Sequence, residues 1–212
     1  MFTKHGVFVA FEGGEGAGKS TQSKLLRDAL EAEGYEVVLT FEPGDTRAGK
    51  KIRELLLSPE TGDLDDKTEA LLYAADRAEH VATLVRPALK RKAVVITDRY
   101  MDSSIAYQGA GRALLDEHVE LLSRWATDGL RPHLTVVLDV EPSVGLGRFE
   151  ERDRIEAAGL EFHQRVRQEF LDLAAKEPDR YLVIDARKPV DEIAAAVIGR
   201  VKPLLKQAVI GG

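Results

Sequence analysis

The chain of 212 residues contains no cysteine, which excludes disulfides, thiolate metal sites and cysteine nucleophiles. It also contains no asparagine and no D-x-x-G. The guanine-reading N-K-x-D motif of a GTPase switch therefore cannot exist here. No apolar run approaches the ~20 residues of a membrane span. The first apolar run follows a polar N-terminus and stops at Glu12, too short for a signal peptide. A cytoplasmic location with no membrane partner is the expectation. Basic residues are not in excess, since the net charge is −6. A general nucleic-acid binder is usually basic, so no nucleic-acid partner is expected. The five histidines (His5, His80, His118, His133, His163) lack metal-ligand spacing and read as surface or cleft-rim residues. Trp125, in Leu121-Leu122-x-x-Trp125, reads as core.

What is present is an ordinary globular composition, 44% hydrophobic and 31% charged, long enough for one domain with a sizeable core. Five short apolar runs read as buried strands: Val7–Phe11, Glu36–Phe41, Ala93–Thr97, Leu134–Val140 and Tyr181–Asp185. Most are rich in Val and Ile and lack strict alternation, as expected when both faces are covered. Helical patterns separate them, the first ending at Gly34 as a C′ glycine. Strand alternating with helix predicts an α/β fold with a five-stranded, mostly parallel, doubly wound sheet. Ligands then belong at the carboxyl ends of the strands. Glu12, Glu42, Asp98, Asp139 and Asp185 stand there.

Residues 13 to 20 read Gly13-Gly14-Glu15-Gly16-Ala17-Gly18-Lys19-Ser20, a complete G-x-x-x-x-G-K-[ST] loop. It lies between a strand and a helix starting near Thr21, the context that aims backbone N–H groups at phosphates. Lys19 can reach the β- and γ-phosphates, and Ser20 can ligate Mg²⁺. A motor or helicase needs more length. A small kinase that moves the γ-phosphoryl group of ATP remains.

Residues 67–92 read as one helix. At about 100° per residue, Leu71, Ala75, Ala78, Ala82, Val85 and Leu89 form one stripe, the predicted core side. Tyr73, Arg77, His80 and Leu84 point the other way. They form either a solvated back face or, with Tyr73 and Arg77 one turn apart, the wall of a base-binding cleft.

Four segments resemble the thymidylate kinase family, and the resemblance runs nearly end to end. They are Phe11 to Gln22, Phe41-Glu42-Pro43-Gly44-Asp45-Thr46, Leu72-Tyr73-Ala74-Ala75-Asp76-Arg77, and Asp98-Arg99-Tyr100 through Tyr107-Gln108-Gly109. The last is the most discriminating. The resemblance implies a P-loop nucleoside-monophosphate kinase with a short lid, one domain over 1–212 with the lid near 147–160. It implies ATP and dTMP as substrates, Mg²⁺ as the cofactor, and a homodimer, with apolar stretches in 67–127 as a candidate interface. It places Gly13 to Thr21 on ATP, and Glu42 and Pro43 in the dTMP site. Tyr73 would stack on thymine, Arg77 would bond its O4, and Ser104 and Gln108 would contact the base edge or its neighbours. Arg99 would hold the acceptor phosphate. Tyr107 would lie near the sugar 2′ carbon, and Glu15 would orient the 3′-hydroxyl or the acceptor phosphate. Ser20 and Asp98 would serve the metal, Asp98 directly or through water.

Gly147 to Arg154 resembles the family's lid. In this family a catalytic arginine sits either in the P-loop or in the lid, and Glu15, Gly16 and Ala17 leave none in this P-loop. Arg152 or Arg154 is therefore the expected donor of that charge, with Arg152 preferred, and Arg148 matches the position that packs on adenine. The chain departs from the family at Phe41, normally arginine, and at Asp45, normally glycine. Arg47 and Arg53 are candidates to replace the lost cation. Another small nucleotide kinase, a deoxynucleoside kinase with Glu12 or Asp98 as base, and a non-catalytic ATP-sensing module are the competing readings.

Overall fold

The computed structural model describes residues 6–112, 114–148 and 153–210. β1 (Phe8–Glu12), α1 (Lys19–Ala32), β2 (Val37–Phe41) and α2 (Arg47–Leu57) come first. α3 (Asp66–His80) runs through a wide π-helical turn at Val81–Val85 into α4 (Arg86–Lys90). β3 (Val94–Asp98) leads to α5 (Met101–Ser104), a second π-helical segment at Ile105–Gly111, and α6 (Asp116–Ala126). β4 (Leu134–Asp139), α7 (Pro142–Leu146), α8 (Leu160–Lys176), β5 (Tyr181–Asp185) and α9 (Val190–Ile210) follow.

All four strand pairings are parallel, in the order β2-β3-β1-β4-β5. Five predicted strands are found within a residue or so of their expected bounds. Every residue of β1 is buried, because it is the central strand with helices on both faces. Val9 and Phe11 pack toward α1 and α9, with Leu26, Leu30, Val197 and Val201. Phe8 and Ala10 pack toward the other face, with Val85, Ala88 and Tyr100. Gly34, at φ +87°, closes the first helix as expected.

The register sets the site. Phe11 pairs with Asp98, and so does Phe41, while Glu12 pairs with Val137. Glu12, Glu42 and Asp98 therefore meet at one carboxyl edge of the sheet.

The predicted stripe on residues 67–92 is only half right. Leu71 is 58% exposed, and Ala75 and Ala82 are exposed, whereas Arg77 and His80 are buried. The polar side of α3 turns inward because it covers charged groups at the sheet edge. The wide turn at 81–85 then shifts the helical phase, so Val85 and Leu89 return to the core. Trp125 is 79% exposed, not core. It lies on α6, which packs beside α3, and Leu121 of the same helix is also exposed. His80 and His163 are buried rather than at the surface. His5 lies outside the described residues.

Candidate active site

The phosphate loop spans β1 and α1 as its sequence requires. Gly16, at φ +65°, lies against α7 so closely that a Cβ there would stand 2.4 Å from the Gly145 carbonyl oxygen. A Cβ on Gly145 would in turn stand 2.1 Å from the Glu15 carbonyl oxygen. Glycine is needed on both sides of this contact. Lys19 Nζ donates to the carbonyls of Gly13 (3.1 Å) and Gly14 (2.9 Å), curled over the loop it serves. Burial, with Arg99 nearby, pushes the Lys19 ammonium below its ordinary pKa, against the pull of Asp98 and Glu15. Arg148 Nη1 donates to the Gly16 carbonyl.

Ser20 Oγ donates to Asp98 Oδ2 at 2.5 Å. These two oxygens, side by side at the end of the loop, are of the kind that suits a hard cation such as Mg²⁺. No cluster of three or more His, Asp or Glu able to hold a metal alone occurs among the described residues. The donor set fits an ion that takes its remaining ligands from phosphate and water.

Arg99 follows β3 with φ +69°, a left-handed conformation uncommon for a non-glycine residue. Its Nη2 donates to Glu15 Oε1 (2.6 Å) and to Tyr107 OH (3.2 Å); its Nη1 donates to Ser103 Oγ (3.1 Å) and the Gly13 carbonyl (3.3 Å). The guanidinium also lies 4.9 Å from the Tyr107 ring centroid. Tyr107 OH donates to Glu15 Oε1 at 2.7 Å. Burial alone would raise the Glu15 pKa. Arg99, Lys19 and the Tyr107 hydroxyl outweigh it and hold Glu15 down to about 2. Beneath this group Glu12 accepts from Tyr100 N, Ser103 N and Ser103 Oγ, which fixes the turn carrying Arg99. Burial, then the nearby Asp102 carboxyl, pushes Glu12 up to about 8.

A cavity opens beyond Arg99. Glu42, Pro43, Tyr73, Ser104, Tyr107 and Gln108, residues that the resemblance places on dTMP, line it. Arg77 sits behind its wall, fully buried. It donates to Glu42 Oε2 (2.8 Å), Ser104 Oγ (3.0 Å), Ser123 Oγ (3.2 Å) and the Tyr100 carbonyl (3.0 Å), so four of its five N–H groups are committed. The other Glu42 oxygen lies 2.8 Å from His80 Nδ1, and His80 Nε2 lies 2.7 Å from Thr40 Oγ1. Burial would raise the Glu42 pKa, but Arg77 and His80 lower it on balance.

A second cleft holds Gly16 to Thr21, Asp98 and Arg148. Both clefts share four residues: Glu15, Glu42, Arg53 and Arg99. Arg53, one of the two candidates to replace the cation lost at Phe41, lines both clefts. Its Nη1 donates to the Pro43 carbonyl (2.8 Å) and its guanidinium lies 5.8 Å from the Phe41 ring centroid. Arg47 is exposed and lines neither cleft.

Two lid expectations change. Arg152 lies outside the described residues. Arg154 does not reach the phosphate side: it bonds Glu69 and the Leu56 carbonyl and lines neither cleft. The buried Glu69 carboxylate holds the arginine that was the alternative to Arg152 for the phosphates. The sequence reading also missed Leu57, Ser103, Asp153, Ile155 and Glu156, which complete the acceptor cavity. Ser103 stood inside the most discriminating segment, and Asp153, Ile155 and Glu156 inside the expected lid; Leu57 carried no signal.

This geometry, a P-loop cleft joined to a second cleft through a wall of two carboxylates and two guanidiniums, defines a small P-loop nucleotide kinase. The sequence profile described as thymidylate kinase matches residues 11–197. A thymidylate kinase of Cutibacterium acnes is 56% identical over 202 residues, 95% of this chain and 99% of that protein. One from a Synechococcus strain is 50% identical over 206 residues, covering 97% and 98%. The crystal structure of thymidylate kinase from Ehrlichia chaffeensis superposes with a TM-score of 0.77 at 35% identity, covering 93% of this chain and 99% of that one. The chain belongs to the thymidylate kinase family.

Proposed function

We propose that the chain transfers the γ-phosphoryl group of ATP to dTMP, giving dTDP and ADP with Mg²⁺. One observation carries the assignment of sites: the two clefts meet at Glu15, Glu42, Arg53 and Arg99. A donor and an acceptor phosphate can approach only at such a shared wall. An acceptor phosphate oxygen attacks the γ-phosphorus in line. The bond to the β–γ bridging oxygen breaks, and ADP leaves with that electron pair. The acceptor phosphate is anionic near neutral pH, so no strong base is needed. Catalysis is positioning and charge neutralisation.

Within this reading Lys19 turns from its loop carbonyls onto the donor phosphates, and Arg99 holds the acceptor phosphate. Arg53 supplies the second cation at the wall, and Arg148 packs on the adenine. Ser20 and Asp98 would hold Mg²⁺, which would neutralise the donor oxygens. Glu15, ionised and tied to Arg99, orients the sugar or the acceptor phosphate. Tyr73 stacks on the base and Ser104 and Gln108 face its edge, while Arg77, expected on O4, acts from behind the wall by holding Ser104 and Glu42 in place. Tyr107 stands beside the 2′ carbon.

The whole chain is read as one kinase domain. The proposed assembly is a homodimer through the apolar surface of α3 and α6, where Leu71, Leu121 and Trp125 are exposed. No helix among the described residues is long and apolar enough to cross a membrane. The proposed location is the cytoplasm.

ADP release with a panel of monophosphates tests the substrate. Preference for AMP, CMP or GMP over dTMP overturns it, and turnover of thymidine itself points to a deoxynucleoside kinase. Lys19→Ala should lower kcat about 100-fold or more. Near-normal turnover overturns the donor site.

A further inference from the structure

Glu69 is a buried carboxylate that the phosphoryl chemistry does not use. It lies on α3 and is 1% exposed. Three side chains converge on it with four donor groups. Gln108 Nε2 donates to its Oε1 at 2.9 Å. Arg112 Nε donates to Oε1 at 3.3 Å and Arg112 Nη2 to Oε2 at 3.2 Å. Arg154 Nη2 donates to Oε2, while Arg154 Nε anchors on the Leu56 carbonyl at 2.9 Å. Arg112 is itself held over the Phe162 ring, 4.9 Å from its centroid.

An ionised carboxylate only accepts hydrogen bonds. An amide facing it must present its NH₂ end. Glu69 therefore settles which way Gln108 is turned, an orientation that Gln108 alone leaves open. Gln108 also lines the acceptor cavity. With Nε2 turned to Glu69, its Oε1 is the end left for the cavity. That end accepts. It complements a base with an N–H at position 3, as thymine and uracil have, and opposes cytosine, whose N3 is itself an acceptor.

We propose that Glu69 is a specificity-determining positioning residue: it fixes the Gln108 amide with its oxygen toward the base, and Arg112 and Arg154 hold Glu69 in place. Burial would raise the Glu69 pKa, but the bonds from Gln108, Arg112 and Arg154 lower it on balance, so the carboxylate stays charged. This role also accounts for Arg154, whose charge stabilises the base-reading end of the cavity instead of the phosphates.

The inference rests on dTMP being the acceptor. The test compares kcat/KM for dTMP and dCMP in the wild-type enzyme, Glu69→Gln, Glu69→Asp, Gln108→Ala and the Glu69→Gln/Gln108→Ala double variant. Glu69→Gln can either donate or accept, so it frees the Gln108 amide to turn. The dTMP-over-dCMP preference should fall roughly tenfold or more, mainly through a higher KM for dTMP. Glu69→Asp keeps an acceptor-only group and should retain most of the preference. In the Gln108→Ala background, Glu69→Gln should cause no further loss of preference. A Glu69→Gln enzyme with unchanged preference overturns the proposal, as does an equal loss in both backgrounds. If Glu69→Gln does not fold, Arg154→Gln gives the second measurement. It should lower the preference in the same direction by about threefold, and no change overturns the proposal. A wild-type enzyme that does not prefer dTMP would sink the substrate assignment instead, so the two failures are distinguishable.

Discussion

Glu15 offers a quantitative check on the wall between the clefts. Its carboxylate is only 14% exposed, bonded by Arg99 and Tyr107, and its pKa is held at about 2 against an ordinary 4.5. The folded state thus favours the ionised form. The resulting stability is complete above about pH 4.5 and drains away as pH falls toward 2. At about 1.36 kcal/mol per unit, the difference of some 2.5 units corresponds to roughly 3 kcal/mol near neutrality. The same relation leaves about 2 kcal/mol at pH 3.5. Glu15→Gln removes the titration while keeping the shape. The total stability difference also contains the cost of leaving Arg99 without its anion, and that part does not follow the Glu15 titration. The decisive quantity is how the difference changes with pH. Urea unfolding of both proteins at pH 7, 5 and 3.5, followed by far-ultraviolet circular dichroism, should show it shrinking by about 1 kcal/mol between pH 5 and pH 3.5. A difference that stays flat over that interval, or grows as pH falls, refutes the claim that Arg99 holds Glu15 ionised.

Arg53→Ala removes a cation from both clefts and should lower kcat/KM for dTMP roughly 10- to 100-fold; steady-state kinetics with varied dTMP would read it, and a loss under twofold would return the Phe41 compensation to another residue. Gly145→Ala places a Cβ against the Glu15 carbonyl and should destabilise the protein by about 1–3 kcal/mol with weaker ATP binding; thermal unfolding and nucleotide titration measure both. Trp125→Ala should weaken self-association by about 2 kcal/mol, roughly thirtyfold in Kd, if this face is a subunit contact; sedimentation equilibrium decides, and an unchanged dimer moves the interface elsewhere.

Much of the architecture was legible because its signals are local. A strand covered on both faces writes itself as a continuous apolar run, and a phosphate loop needs glycines at fixed positions. Residues that touch across the fold were not legible in the same way. Arg77 and Glu42 stand 35 positions apart, His80 and Glu42 38 apart, and Arg154 and Glu69 85 apart. Nothing in a charge run says which carboxylate will capture an arginine, so Arg154 stands in the sequence as an alternative to Arg152 for the phosphates. The helical wheel failed at α3 because burial there follows the charged groups at the sheet edge, which draw Arg77 and His80 inward, and the π-turn at 81–85 then breaks the 100° step that would have kept Val85 and Leu89 in line with Leu71 and Ala75. Trp125 misled because periodicity marks an apolar face without saying whether the chain's own core or another surface covers it.

The shared wall has a consequence for how this enzyme can change. Glu15, Glu42, Arg53 and Arg99 face both clefts, so a substitution that reshapes the grip on one substrate alters the grip on the other. Drift at the outer ends of the clefts is independent; drift at the wall is not. An inhibitor bridging both clefts would bind where escape mutations disturb both substrates at once, whereas one confined to the base end would meet residues whose change disturbs the grip on one substrate alone.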